Sequence, residues 1–433
     1  MRRPSIRSGA FVLATLFSLA VILQQLGPRP DPAWAASTPP PTPVPPNGSP
    51  SPFPTALTTP RPSLTPPPLG APSAILEDLG TGQVLFAKAP DGRRPIASLT
   101  KVMTALVVLS RTKPGDTVVV DGTAASQSGS VLGLRVGERI TVRELLFGLL
   151  VQSSNDAAVA LAEHVGRTVP GFVAMMNRQA ARMKLSHSRF TGPSGLDNGG
   201  VSSARDLATV ARAAYQSTLF EQIVRTRFHD VPAPSAPPRH IQNRNVLLWL
   251  YPGAIGVKTG FTTPAGHCLI AAADRGGTRL VAVVLGATGP EDGGVFNDGA
   301  ALLNYGFAAF AERTLIHVGD PVGPVTVEGM AVPVVAGATL LRLVRNDQAE
   351  KTTISFSPDR SLRLPITAGD RVGRVVVEVA GRRAGVVPAI ASATVTGSPP
   401  QPPPPDPSRP ATPLERGLRA LSVLIQAVLG PFL

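Results

Sequence analysis

Ser98-Leu99-Thr100-Lys101 sets a hydroxyl and an amine three residues apart. On a helix that spacing puts both groups on one face, a single turn from each other. A serine hydroxyl is a weak nucleophile until a base accepts its proton, and an amine serves as that base when it is neutral at working pH. Burial drives a lysine toward the neutral form. Ala97, Leu99, Val102, Met103, Ala105 and Leu106 supply apolar surroundings for it. The pattern also arises by chance, because Ser110-Arg111-Thr112-Lys113 repeats it. Pro114 follows that copy directly and assigns it to a solvated helix end. The assignment therefore rests on companion motifs.

Two companions are present. Ser153-Ser154-Asn155 directly precedes an apolar helical pattern. Serine and asparagine are favoured helix caps, and a capping role is compatible with a chemical one. A hydroxyl at Ser153 can relay a proton between Lys101 and a leaving amine, while Asn155 can hold a substrate amide. Lys258-Thr259-Gly260 follows Gly256-Val257 and precedes Phe261-Thr262, which reads as an edge strand. Alone it would be an ordinary strand lysine, but glycine within a strand marks close approach of a ligand or another backbone. An edge strand binds an extended peptide by strand addition, with Lys258 and Thr259 aimed at its carboxylate. The order S-x-x-K, S-x-N, K-T-G is the pattern of penicillin-binding proteins and related β-lactamases.

Over about residues 71 to 395 the sequence resembles the low-molecular-mass serine D-alanyl-D-alanine carboxypeptidases. The resemblance is carried by Ser98 to Ala105, Leu145 to Val165 (LLFGLLVQSSNDAAVALAEHV), Ser203 to Ala208 (SARDLA), Asn243 to Leu248 (NRNVLL), Gly256 to Leu269 (GVKTGFTTPAGHCL) and Leu364 to Val375 (LPITAGDRVGRV). It implies Ser98 as acylated nucleophile, Lys101 as general base, and Ser153 and Asn155 for proton transfer and substrate positioning. Lys258 and Thr259 would face the substrate, and Arg244 would add positive charge for its terminal carboxylate. The backbone N–H groups of Ser98 and Phe261 would form the oxyanion hole. The substrate would be peptidoglycan stem peptides, with β-lactams as covalent inhibitors and neither metal nor organic cofactor required. Two departures stand out: Gly192-Pro193-Ser194-Gly195-Leu196-Asp197 where the family often has N-P-H-G-L-D, and Phe261 where some members carry a polar residue. The same residues would serve a D,D-endopeptidase. A penicillin-binding wall scaffold with little turnover is the non-enzymatic alternative, and the intact set of motifs argues against it.

The elements that must position these groups are legible in part. Ala74–Asp78, a Gly80-Thr81-Gly82 turn and Gln83–Lys88 read as a hairpin. Helical periodicity covers 98–109, 141–151, 155–165, 171–183 and 204–215, and β-like runs fall at 268–272 and 279–285. Strands at both ends of a helical middle predict an α/β sandwich of sheet and helices, and the resemblance implies the β-lactamase/transpeptidase-like form of it. Short β-branched runs alternating with turns, such as 325–327, 353–355 and 375–379, predict a small all-β domain after about Ile316.

Composition bounds the rest. Of 47 prolines, 18 lie from Pro28 to Pro72 and 9 more from Pro399 to Pro413, which marks two extended linkers. A net charge of +13 raises the question of nucleic acid, yet only 6 of the 41 basic residues are lysines and aromatics are 5%. With no basic run longer than two, nucleic acid is the least favoured partner; a solvated, arginine-favouring surface is the first reading and attraction to an anionic envelope the second. The single Cys268 rules out an intrachain disulfide, and the six histidines lack metal-ligand spacing. Arg2, Arg3 and Arg7 before an apolar run at Gly9–Leu23, with Ala33-Trp34-Ala35 beyond it, read as a signal peptide or anchor. The expected organisation is signal or anchor 1–35, linker 36–70, catalytic domain 71–315, β domain 316–395, linker 396–413 and amphipathic helix 414–433. That helix has Leu414, Leu418, Leu421, Ile425 and Leu429 on one face, suited to the membrane surface. The reading places an exported protein at the outer face of the cytoplasmic membrane.

Overall fold

The computed structural model describes residues 57, 64–197, 199–233, 236–288, 293–397, 413–414 and 416–418. The chain divides into two compact units after Ala309. In the first unit five antiparallel strands form one sheet: β1 (Ser73–Asp78), β2 (Val84–Lys88), β3 (Ala254–Thr262), β4 (Gly266–Arg275) and β5 (Thr278–Ala287). Their spatial order is β2-β1-β5-β4-β3, so the strand that carries Lys258-Thr259-Gly260 lies at the sheet edge. The centres of β4 and β5 read as continuous apolar runs because both faces of the sheet are covered.

One face, through Ile75, Ile270, Val283 and Leu285, packs into a core built with the helices α1 (Thr100–Leu109), α2 (Asn155–Gly166) and α3 (Ala204–Ala214). Helix α1 is buried on nearly every side, as a helix with an almost unbroken apolar surface must be. Each fully buried Leu, Ile or Phe in this core contributes about 2 kcal/mol of transfer free energy. Helix starts follow local chemistry. Thr141 accepts the Glu144 N–H and Ser203 accepts the Asp206 N–H, each with an acidic residue three positions on.

The expected helix at 141–151 is two pieces. Val142–Phe147 is α-helical and Gly148–Gln152 widens into a π turn, which ends at Ser153 in the left-handed region with φ 69°. Such widened turns concentrate at functional sites. Similarly, α1 proper starts at Thr100, and Ser98 stands on the tight 3-10 turn Ala97–Leu99 before it.

The opposite face of the sheet is covered by α4 (Gly293–Ala309), a helix that the sequence periodicity did not reveal. Its glycines lower helix propensity, and packing explains them. A Cβ at Gly299 would stand 2.8 Å from Leu269 Cδ2, and one at Gly306 would stand 2.5 Å from Leu280 Cδ1 and 2.9 Å from Leu76 Cδ2. The glycines let the helix lie directly on the sheet. A hairpin of Phe228–Ala233 and Ala236–Gln242 was likewise not anticipated.

The second unit is all-β. Pro321–Val327, Met330–Ala336, Arg382–Ala391, Arg371–Val379 and Thr352–Pro358 lie side by side in that order. Phe310–Ile316 pairs with Leu340–Arg345. Val332, Val372, Val375 and Val377 form its core. Among the described residues no helix is long and apolar enough to cross a membrane. The signal or anchor segment and most of both proline linkers and of the C-terminal amphipathic segment fall outside the described residues.

Gly306→Val should overpack the interface between α4 and the sheet. The expected loss is about 1–3 kcal/mol, read as a lower urea midpoint in equilibrium unfolding of the purified chain.

Candidate active site

The turn at Ala97–Leu99 presents Ser98 half-buried at the mouth of a cleft, while Lys101, one turn on, has no exposed surface. Lys101 Nζ lies 3.0 Å from Ser98 Oγ, 2.8 Å from Asn155 Oδ1 and 2.8 Å from the Ser194 carbonyl oxygen. The amide and carbonyl oxygens can only accept. A neutral amine has two N–H donors and one lone pair, so donation to Asn155 and Ser194 leaves the lone pair for the Ser98 hydroxyl. That is the arrangement of a general base on its nucleophile.

Electrostatics favour that state. Burial pushes the Lys101 amine down from 10.5 to about 7, opposed by the Asp156 carboxylate, which favours the charged form. Lys258, also buried, is held well below its usual value by burial, then by the charges of Lys101 and Arg244. Its Nζ donates to the Thr259 carbonyl oxygen at 2.8 Å. Arg244 and Lys258 thus lie close to Lys101, and an incoming carboxylate would favour their charged forms.

Asn155 is held at both ends. Its Nδ2 donates to the Ser128 carbonyl oxygen at 2.7 Å, and its backbone N–H donates to the Ser130 carbonyl oxygen at 2.7 Å. One N–H of Nδ2 is left over for a substrate amide. The cleft has a volume of about 240 Å³ and is lined by Ser98, Ser130, Ser153, Arg244, Thr259 and Phe261 among others. Strand β3 closes tightly on the nucleophile's turn. A Cβ at Gly260 would stand 3.0 Å from Ser98 N and 3.1 Å from the Ile96 carbonyl oxygen. The Phe261 ring stacks on His267, its register partner on β4, with centroids 4.5 Å apart.

The structure therefore brings Ser98, Ser153, Arg244, Thr259 and Phe261 to one cleft, with Lys101 and Asn155 linked to Ser98 beneath it and Lys258 buried within β3. The second S-x-x-K match stays apart, with Ser110 and Lys113 exposed at the end of α1. Three contributors escaped the motif reading. Ser194 acts through a backbone carbonyl, which has no sequence signature, and Ser130 comes from a loop far from all three motifs. Asp156 directly follows S-x-N and was readable as a charge beside the site. Cys268 lines the cleft too, but burial pushes its thiol up to about 11, which leaves it a poor nucleophile at neutral pH. Among the described residues no three His, Cys, Asp or Glu side chains converge as metal ligands would.

Because Lys101 is depressed, the neutral base accumulates as pH rises through about 7. The rate of acylation by a fluorescent penicillin should rise along that limb, measured by stopped-time labelling from pH 5 to 9. Asp156→Asn removes the charge that opposes the depression and should move the limb to lower pH. Between about 7 and 10.5 the unfolded chain holds the extra proton at this residue. Its cost to stability therefore shrinks as pH rises through that window.

Residues 61–289 match the family model of the D-alanyl-D-alanine carboxypeptidases, peptidase S11, and residues 310–396 match that of the penicillin-binding protein 5 C-terminal domain. D-alanyl-D-alanine carboxypeptidase DacB2 of Mycobacterium tuberculosis is 39% identical over 238 residues, covering 54% of this chain and 81% of that protein. DacA of Haemophilus influenzae is 32% identical over 338 residues, 74% of this chain and 84% of that one. The crystal structure of penicillin binding protein 5 from Haemophilus influenzae superposes with a TM-score of 0.66 at 29% identity, over 77% of this chain and 99% of the other. With a family model matched across more than half of its length, this chain belongs to the D-alanyl-D-alanine carboxypeptidase family of serine peptidases.

Proposed function

We propose that this serine carboxypeptidase removes the terminal D-Ala of peptidoglycan stem peptides with Ser98 as nucleophile and Lys101 as general base. The observation that carries the assignment is the trio of contacts on Lys101 Nζ, of which only the one to Ser98 can supply a proton. An extended peptide adds to the edge of β3. Arg244 and Thr259 receive its terminal carboxylate, whose charge in turn favours protonation of the buried Lys258 amine. Lys101 takes the Ser98 proton as Oγ bonds to the penultimate carbonyl carbon. The Ser98 and Phe261 N–H groups receive the developing oxyanion, each donor contributing about 3 kcal/mol in comparable sites. The proton passes from Lys101, by way of the Ser153 hydroxyl, to the departing nitrogen as the C–N bond breaks. Water then attacks the Ser98 ester, with Lys101 accepting its proton and passing it to Ser98 Oγ as the C–O bond breaks. β-Lactams enter the same acylation step.

A wall peptidase works outside the cytoplasm. The basic and apolar N-terminus fits export, and the C-terminal amphipathic segment fits docking to the membrane face.

The test uses the purified chain with diacetyl-L-Lys-D-Ala-D-Ala and a fluorescent penicillin. D-Ala release and labelling are expected together, and Ser98→Ala should abolish both. Labelling with no release from this peptide, but cleavage of cross-linked dimers, would mean an endopeptidase instead. Arg244→Ala should raise KM for the tripeptide roughly tenfold or more, since it removes a charge-assisted contact to the carboxylate.

A further inference from the structure

A second cavity, of about 590 Å³, opens between the loop 133–139 and the hairpin that ends at Gln242. Arg135, Arg139, Arg239, Glu138, Val136 and Pro237 line it. Glu138 is already committed. Arg239 grips it with two nitrogens at 2.8 and 2.7 Å, and the pair is largely buried, with side chains 17% and 6% exposed. That ion pair builds the wall. Arg135 and Arg139 are exposed, and among the described lining residues no second acid offsets them. The cavity thus offers two guanidinium groups beside the apolar Val136, Pro237 and Ala236, a combination suited to a carboxylate on a short aliphatic peptide.

The loop that borders this cavity also borders the catalytic cleft. Its Ser130 end lines the cleft, and its Gly133–Arg139 end lines the cavity. Adjacent residues at the start of α2 tie down the two halves. Asn155 bonds Ser128 and Ser130, while the Asp156 carboxylate accepts the N–H groups of Leu132, Gly133 and Leu134 at 2.9, 2.9 and 3.1 Å. A ligand in the cavity would therefore be held in fixed register with the nucleophile.

We propose that this cavity is an exosite for a neighbouring stem peptide of the polymer being trimmed, with Arg135 and Arg139 taking its terminal carboxylate. The inference rests on the function proposed above. A substrate of a carboxypeptidase ends in a free carboxylate before and after cleavage, and a polymer repeats that group along its length. Tethering one stem raises the local concentration of the next at the cleft.

The experiment compares the full chain with Arg135→Ala/Arg139→Ala on two substrates: the diacetylated tripeptide, and pentapeptide-bearing peptidoglycan freed of phosphate-containing polymers. The double variant should lose about tenfold in kcat/KM on the polymer while its tripeptide kinetics stay within about twofold, because two exposed guanidiniums act only on the second stem. Arg135→Lys/Arg139→Lys should recover part of the loss. Unchanged polymer kinetics, or equal losses on both substrates, would overturn the exosite. So would a polymer preference that appears only when phosphate-containing polymers are left attached, since phosphate would then be the ligand. Cosedimentation of the Ser98→Ala chain with the same stripped peptidoglycan reads the site without turnover. Adding the two arginine substitutions should weaken that binding about tenfold, and equal retention would again contradict the proposal. Failure of the unaltered chain to release D-Ala from the tripeptide would count against the catalytic assignment, not against the exosite.

Discussion

The folded molecule has to accommodate a lysine amine with no exposed surface. Burying an ammonium without compensation costs several kcal/mol, so the local structure either neutralises it or surrounds it with acceptors. Here three oxygens converge on Lys101 from three separate segments: the turn before α1, the start of α2, and the 193–195 loop. Two are acceptors only, and the third is a hydroxyl. The same burial that makes the amine expensive to charge makes it a base at neutral pH, and the choice of partners aims it at Ser98. The 193–195 loop can come this close because Gly195 adopts φ +78° beside the Ala97 carbonyl.

The start of α2 is the second organising feature. Asn155 faces inward to Lys101 and to the loop at Ser128–Ser130, while Asp156 gathers three consecutive backbone N–H groups of the same loop. Asp156 also opposes the depression of Lys101. One helix terminus therefore sets the position of the base, adjusts its charge, and fixes the wall of the cleft. Edge strand β3 supplies the opposite wall, and Gly260 permits its approach to the Ser98 turn.

How much of this could be read from sequence follows from where each signal resides. The three motifs were visible because their chemistry belongs to side chains at fixed short spacings, and the one-turn offset of Ser98 and Lys101 survives the 3-10 start of the helix. The stretch around Lys258-Thr259-Gly260 read as an edge strand from its flanking residues and its glycine as a point of close approach; β3 lies at the sheet edge, and Gly260 faces the Ser98 turn. By contrast, α4 was hidden because Gly299 and Gly306 serve helix–sheet contact at the expense of propensity. The π turn before Ser153 depends on tertiary packing that periodicity does not encode. The Ser194 acceptor is a backbone oxygen. The loop from Ser128 to Arg139 has no regular period, and its role emerges only from the bonds that Asn155 and Asp156 make to it.

The central claim is that Lys101 is a neutral amine at working pH, and the most direct measurement is an NMR titration of the lysine side chains. The chain has six lysines, so a sample labelled at the lysine ε-carbon gives a spectrum simple enough to assign by Lys101→Arg. The account requires a lysine signal that titrates near 7 and disappears in that variant. A Lys101 signal that titrates near the unperturbed value of 10.5 would contradict it and return the search for the base to the other groups around Ser98.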